Sequence, residues 1–367
     1  MIKHNADNER VKRKYFIFLK EAKRQNEATV DAIAKSISRF ESYTKYRDFK
    51  AFHFEQAVGF KNHLANQTNK QTGKKLSKAT LNSTLRQLKT FFQWLAMQSG
   101  YKSRINYTDT EYFNLSEKDV RVATARRETA VPTMAQINHV LETMPNNSVI
   151  ERRNRSLIAF TVLTGARDSA IASMKLKHVD LANRCVYQDA REVKTKFSKT
   201  FTTYFFPVGD EIQQIVIDWI SFLRNELLWG NDDPLFPKTN IISGQDRIFK
   251  ACGVKPEHWS NASPIRSIFR DAFETAGLPY FNPHSFRKTL VKLGQNLCQS
   301  PEEFKSWSQN LGHEDVLTTL YSYGEVQQHR QGEIIQQLSK PRSSSNQNVD
   351  ELAQAVVRAM ANQQNQT

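Results

Sequence analysis

Cysteine is scarce, with three residues in 367, at Cys185, Cys252 and Cys298, and no Cys-x-x-Cys spacing. An odd, scattered set argues against a disulfide framework or a thiolate metal site and for a reducing compartment. Long apolar runs are missing too: none approaches the ~18 residues a membrane-spanning helix needs. The first residues, Met1-Ile2-Lys3-His4-Asn5-Ala6-Asp7, carry no signal-peptide apolar core. The expected location is therefore the cytoplasm, associated with the nucleoid in a cell without a nucleus, and no membrane partner is expected. There is no glycine–lysine phosphate loop, so no ATP site is expected, and no pair of acidic residues at a spacing that demands a metal. No cofactor of any kind is expected. Negative charge is in deficit as well. Lys and Arg number 52 against 37 Asp and Glu, a net charge of +15. Such a balance says nothing about fold but attracts polyanions, nucleic acid first among them.

What is present is enough for packed cores: 39% of the residues are hydrophobic and 11% are aromatic. The length suggests two domains. The first third reads as helical. Val30, Ile33, Ala34, Ile37 and Phe40 recur at a helical period, as do Phe54, Ala57, Val58 and Leu64. The clearest helix starts after Ser77, a good N-cap, runs through Leu81, Leu85, Leu88, Phe92 and Leu95, and stops before Gly100. Residues 1–115 are expected to form one helical domain. Residues 116–132, with Lys118, Arg121, Arg126 and Arg127 and few large apolar residues, read as an exposed basic linker. Residues 133–340 form a second domain. It opens with helices over Ile137–Met144 and Arg152–Thr164, with a short one around Ile171–Met174. Strands at Cys185–Val193 and Thr200–Phe206 follow, joined by a polar hairpin turn at Lys194–Lys199. Helices resume at Glu211–Leu228, Ile265–Ala276, Pro283–Leu297 and from Pro301. Residues 341–367 read as a polar linker and a short C-terminal helix or tail.

Four segments of this second domain can carry chemistry. In Leu163-Thr164-Gly165-Ala166-Arg167, a buried helix is stopped by glycine and followed at once by arginine. In Asn282-Pro283-His284-Ser285-Phe286-Arg287, Asn282 and Pro283 suit the start of a helix. His284 and Arg287, at i and i+3, share one face of its first turn. Leu311-Gly312-His313 places a histidine after a turn. Thr318 to Gly324 offers Tyr321 and Tyr323. Each alone is weak: an arginine after a helix is usually solvated, and most tyrosines simply pack.

Their combination and order resemble the tyrosine recombinase (phage integrase) family. Its catalytic domain carries an arginine in a Thr-Gly-x-Arg turn, a hairpin lysine, a His-x-x-Arg pair, a Leu-Gly-His and then a tyrosine. The resemblance covers roughly Val131 to Leu338. The front domain, with Thr80, Phe91, Phe92 and Trp94 on its last helix, is similar to the family's core-binding domain. The implied fold is mainly α with a small β-hairpin or sheet: an all-helical core-binding domain followed by an α+β catalytic domain. The implied activity is site-specific cleavage and rejoining of double-stranded DNA through a 3′-phosphotyrosine, without ATP or metal, in the service of a mobile element. Arg167 and Arg287 would clamp the scissile phosphate, since a guanidinium stays protonated and offers a planar fork. His284 and His313 would donate to the same oxygens or move a proton. A phenol can attack phosphorus and leave again on rejoining, provided a cationic pocket favours the phenolate.

Two positions stay open within that resemblance. The lysine that protonates the departing 5′-oxygen is Lys196 by its place at the tight turn, with Lys199 and then Lys194 as alternatives. The tyrosine of many relatives falls nine residues after the Leu-Gly-His histidine, which here is Ser322. Tyr323 is preferred and Tyr321 is the alternative. Relatives also carry an acid three residues beyond the first arginine, where this chain has Ala170, with Asp168 beside Arg167. For DNA contact the candidates are Lys78, Asn82 and Arg86 on the Ser77 helix and Arg121, Arg126 and Arg127 in the linker. The family assembles as a homotetramer on paired DNA sites, and accessory DNA-bending or directionality proteins are possible partners. Two other functions compete: a non-catalytic DNA-binding protein of the same fold, and a strand-relaxing enzyme of the type IB topoisomerase kind.

Overall fold

The computed structural model describes residues 4–69, 73–125, 130–243 and 249–313. The chain divides into two units, residues 1–127 and 128–367. Among the described residues of the first unit the helices are α1 (Ala6–Ile17), α2 (Glu27–Tyr43), α3 (Phe54–Asn66), α4 (Lys78–Leu95) and α5 (Glu117–Thr124). α1 escapes a periodicity reading because only Val11 and Tyr15 of its apolar residues are buried within a strongly charged stretch. α4 starts where expected, with Ser77 accepting a hydrogen bond from the Thr80 amide at 3.1 Å. Its apolar face closes an aromatic core. Phe52 stacks on Phe92 at 4.0 Å, and Phe40 meets Phe92 edge-on at 5.1 Å. One buried polar node braces the unit. Glu41, 1% exposed, bonds Lys12 at 2.6 Å and Asn8 at 3.3 Å, and Asn8 also takes the Phe49 amide at 3.0 Å.

Within the segment expected as an exposed basic linker, residues 117–124 are helical. Ser116 caps α5 through the Asp119 amide, and Asp119 pairs with Lys78 of α4 at 2.8 Å. α5 buries no residue, so hydrophobic patterning could not reveal it. Its stability comes from the cap, an acidic first turn and its seat beside α4.

The second unit contains α6 (Met134–Thr143), α7 (Val149–Thr164) and α8 (Asp168–Ile171), then β1 (Val179–Asp180), β2 (Cys185–Gln188) and β3 (Phe201–Tyr204). α9 (Asp210–Asn225), β4 (Lys238–Ser243), β5 (Phe249–Lys255), α10 (Ser263–Thr275), α11 (Pro283–Leu297) and α12 (Pro301–Asn310) complete it. Residues 156–164 of α7 are all buried. A helix apolar all round lies at the centre of its domain, and α9, α10 and α11 pack around this one. β1, β2 and β3 form an antiparallel meander, with Cys185 opposite Tyr204 and Gln188 opposite Phe201. The fold is thus mostly helical with small antiparallel sheets.

The β2–β3 strands are shorter than the sequence suggests. Asp189 turns the chain by accepting the Glu192 and Val193 amides at 3.0 and 2.7 Å, and Val193 then plugs the core at 1% exposure. What reads as a hairpin turn over Lys194–Lys199 is therefore a loop over 189–200, with a 3-10 turn at Lys196–Ser198. β4 and β5 are a second hairpin that the sequence hides among lysines, a glycine and polar residues. Its foot is held by Arg153 of α7, which donates to the Pro237 carbonyl at 2.9 Å and to Thr239 at 3.0 Å.

Candidate active site

α7 ends because Gly165 turns left-handed, with φ of +59°, and its amide returns to the Thr161 carbonyl at 2.9 Å. A larger residue there would be strained by the left-handed backbone and would displace its neighbours: a Cβ would stand 2.9 Å from Leu311 and 3.0 Å from Leu290. Two residues on, Arg167 has extended backbone at the start of α8 and is half-buried. α11 starts opposite, with Asn282 capping the Ser285 amide at 3.1 Å and Pro283 in its first turn. That geometry leaves His284 on the open side and sends Arg287 inward, to 4% exposure.

Arg287 gathers the site. Its guanidinium donates to the carbonyls of Gly165 and Leu311, and Nη2 lies 3.1 Å from His313 Nε2. A guanidinium can only donate, so this His313 nitrogen accepts and the ring is neutral. Burial, then Arg287 and Arg167, push the His313 pKa down to about 4. His284 moves the same way, by desolvation first and then by the same two arginines. Arg287 is itself pushed down to about 9, by burial and then by Arg167, and burial also lowers Arg167. Among the described residues, no carboxylate pairs with either arginine. Asp168 does not fill that role. Its Oδ2 accepts from Arg266 Nε and Nη2 at 2.9 and 2.8 Å, and its Oδ1 takes the Ser169 amide at 2.8 Å. Ala170, where relatives carry an acid, is buried.

The result is a cationic cleft of about 310 Å³ lined by Arg167, Asp168, Arg266, Asn282, Pro283 and His284. A second cleft of about 500 Å³ holds Lys199, Phe201, Tyr204, Asn310, Gly312 and His313. Arg266 and Asn310 were not singled out by sequence, since nothing local marks either as facing a cleft.

The three lysines have different surroundings. Lys196 is exposed, its ammonium 4.8 Å over the ring of its neighbour Phe197. Lys199 shares the His313 cleft. Lys194 is tied to the segment that follows Arg167. Its amide donates to Ser173 Oγ at 2.8 Å, and its carbonyl accepts from Ser169 Oγ at 3.3 Å. In the first unit, Lys78 is paired with Asp119, Asn82 is half-buried and Arg86 is exposed. Arg121 is exposed, 3.5 Å from Glu117. Arg126, Arg127, Tyr321 and Tyr323 lie outside the described residues.

Residues 131–330, just over half of the chain, match the model of the phage integrase family, and the chain belongs to that family. It is a tyrosine recombinase, a class of site-specific recombination enzyme. It is 24% identical over 261 residues to the tyrosine recombinase XerC of Lactobacillus leichmannii, covering 70% of this chain and 76% of the relative. Among solved structures it is similar to the XerH site-specific recombinase bound to a palindromic difH substrate in a post-cleavage complex. That match has a TM-score of 0.57 and 18% identity, and covers 87% of this chain and 82% of the other. It is also similar to the Tn1549 transposon integrase (residues 82–397) in complex with transposon right end DNA, with a TM-score of 0.56, 17% identity and coverage of 90% and 99%. At these identities the structures speak to the fold. No described helix is long and apolar enough to cross a membrane.

Proposed function

We propose that this protein cuts and rejoins duplex DNA through a transient 3′-phosphotyrosine, with Tyr323 as the nucleophile. The observation that carries the proposal is the pairing of two guanidiniums, Arg167 and Arg287, that have no carboxylate partner among the described residues, with two histidines. A buried cation without a counter-ion is costly, and an anion relieves it. A phosphodiester under attack gains negative charge on its non-bridging oxygens, and fixed donors already in place lower that barrier most. Arg167, reaching the cleft from the α7–α8 turn, and Arg287, locked to two backbone carbonyls, would bind these oxygens. His284 would add a donor from the cleft rim. His313, neutral with Nε2 accepting from Arg287, keeps its Nδ1–H as a further donor to the same oxygens.

The departing 5′-oxygen needs a proton. We place the donor at Lys194 rather than Lys196, because its backbone is bonded to Ser169 of α8 and to Ser173 just beyond that helix, and a donor on a fixed backbone loses less order on reaching the transition state. Lys199 is the second reading, favoured by its place beside His313. The energy of the broken bond is kept in the protein–DNA link, so rejoining needs no nucleotide. The front unit would hold DNA through Arg86 and Asn82 of α4, and Arg121, Arg126 and Arg127 would contact phosphates. Lys78 is a weaker candidate because Asp119 already neutralises it. Four copies acting on two DNA sites, and a mobile element as the beneficiary, complete the proposal.

The test is to incubate the full-length protein with sheared genomic DNA of its host, denature in SDS, and sequence the DNA that stays attached. One recurrent junction sequence should be recovered, with or without a chelator. Tyr323→Phe should abolish recovery while retaining DNA on a filter. Recovery without a common sequence would favour a relaxing enzyme, and no recovery at all a non-catalytic binding protein.

A further inference from the structure

We infer that Asn310 is a positioning residue: it clips the His313 segment onto the edge of β3, so that the hairpin and His313 are set in place together. The inference rests on the proposed role of His313. β3 is the outer strand of the meander, and an outer strand leaves backbone donors and acceptors unpaired. Asn310 takes both of those of one residue. Its Oδ1 accepts the Tyr204 amide at 2.7 Å, and its Nδ2 donates to the Tyr204 carbonyl at 2.9 Å. A side-chain amide is thereby used as a strand partner. The Asn310 carbonyl accepts from Thr203 Oγ1 at 3.1 Å, and that hydroxyl accepts from Gln188 Nε2 of β2 at 2.9 Å. Thr203 and Gln188 are 1% and 3% exposed, so this relay is shielded from competing water.

The residues that follow carry the clip to the site. The Leu311 carbonyl accepts from Arg287. Gly312, at φ of +69°, lies so close to the Phe201 ring of β3 that a Cβ would stand 2.7 Å from it. His313 comes next. Residues 310–312 are therefore held from β3 on one side and from Arg287 on the other, which leaves His313 little freedom. β3 is also the continuation of the 189–200 loop that carries all three candidate lysines. A shift of β3 relative to Asn310 would move the acid-bearing loop and His313 apart. A merely structural edge cap would need neither both bonds to a single residue nor the buried relay. Asn310 suits the place by length and by carrying one donor and one acceptor. Leu keeps the volume and loses both, whereas Asp keeps the acceptor and loses the donor.

The experiment uses the full-length protein with ¹⁵N-labelled histidine. In the wild type the His313 ring should stay neutral down to about pH 4, held there by burial, Arg287, Arg167, His284 and Lys199. In Asn310→Leu its titration should move up toward the ordinary ~6.5, with Tm within a few degrees. Thr203→Val should move it in the same direction and Thr203→Ser should leave it in place, so one poorly folding variant does not decide the matter. On a nicked duplex carrying the junction sequence recovered by trapping, Asn310→Leu should slow adduct formation on the order of ten- to a hundredfold, as expected for a misplaced group. Asn310→Leu combined with His313→Ala should be no slower than His313→Ala alone. An unmoved ring titration, or losses that multiply in the double variant, would overturn the inference. If the wild type forms no adduct, the recombinase reading fails, and the ring titration still decides the clip.

Discussion

Arg287→Met separates a residue poised for an anion from a residue that holds the fold together. Arg287 donates to the buried carbonyls of Gly165 and Leu311. Leaving such acceptors unpaired costs about 1–3 kcal/mol each, so roughly 2–6 together. Against this stands the cost of the buried charge. Its pKa is depressed from 12.5 to about 9, and at ~1.4 kcal/mol per pH unit that corresponds to about 5 kcal/mol against the charged form. Methionine keeps most of the apolar stem and removes the charge. The two terms offset one another, so urea unfolding should place Arg287→Met within about 2 kcal/mol of the wild type. Four of the five tryptophans, Trp219, Trp229, Trp259 and Trp307, lie in the second unit, so intrinsic fluorescence follows the relevant transition. Cleavage of a nicked duplex should nonetheless fall by at least about 10²–10³, the usual loss for one donor to developing oxyanion charge. A destabilisation above about 5 kcal/mol would show that Arg287 is a structural cross-link instead. Retained cleavage would remove it from the site altogether.

Three further expectations follow from the same geometry. Gly165→Ala should destabilise the second unit by about 1–3 kcal/mol, through its left-handed backbone and the contact with Leu311, and should slow cleavage because the Gly165 carbonyl anchors Arg287; a neutral effect on both would contradict the packing described. His313 is held below its ordinary pKa in the fold, so as pH falls the unfolded chain takes up the proton first. Its contribution to stability is complete above pH ~6.5, is lost progressively toward pH 4 and is level below that, and the pH dependence of the urea midpoint should be shallower in His313→Gln than in the wild type over that window. For the proton donor, Lys194→Ala should lose cleavage on an ordinary duplex and regain it when sulfur replaces the bridging 5′-oxygen, because a thiolate leaves without a proton; rescue confined to Lys199→Ala would move the assignment to Lys199.

Much of the site could be read from the sequence because its signals are local. Gly165 ending an apolar helix, Asn282-Pro283 opening another, and the i, i+3 spacing of His284 and Arg287 each follow from backbone rules that operate within a few residues. What could not be read is what those residues do to one another. Arg287 reaches Gly165 across 122 positions and Leu311 across 24. Asp168, adjacent to Arg167 in sequence, is taken by Arg266, 98 positions away. Lys196 stands out in the sequence because it sits at the tight turn between the two strands. The loop is longer because Asp189 folds it back and Val193 is pulled into the core. α5 and the β4–β5 hairpin were missed for a related reason. One buries no side chain, and the other carries exposed Ile241, Ile242 and Phe249 with no inward alternation to betray it.

The central claim is that the cationic cleft serves a tyrosine that becomes covalently linked to DNA. The most direct measurement is peptide mapping by mass spectrometry of the SDS-resistant adduct after nuclease and protease digestion. The account predicts a nucleotide attached through its 3′-phosphate to Tyr323. Attachment at Tyr321 would move the nucleophile by two residues, and attachment to a serine, or to no residue of this chain, would contradict the account.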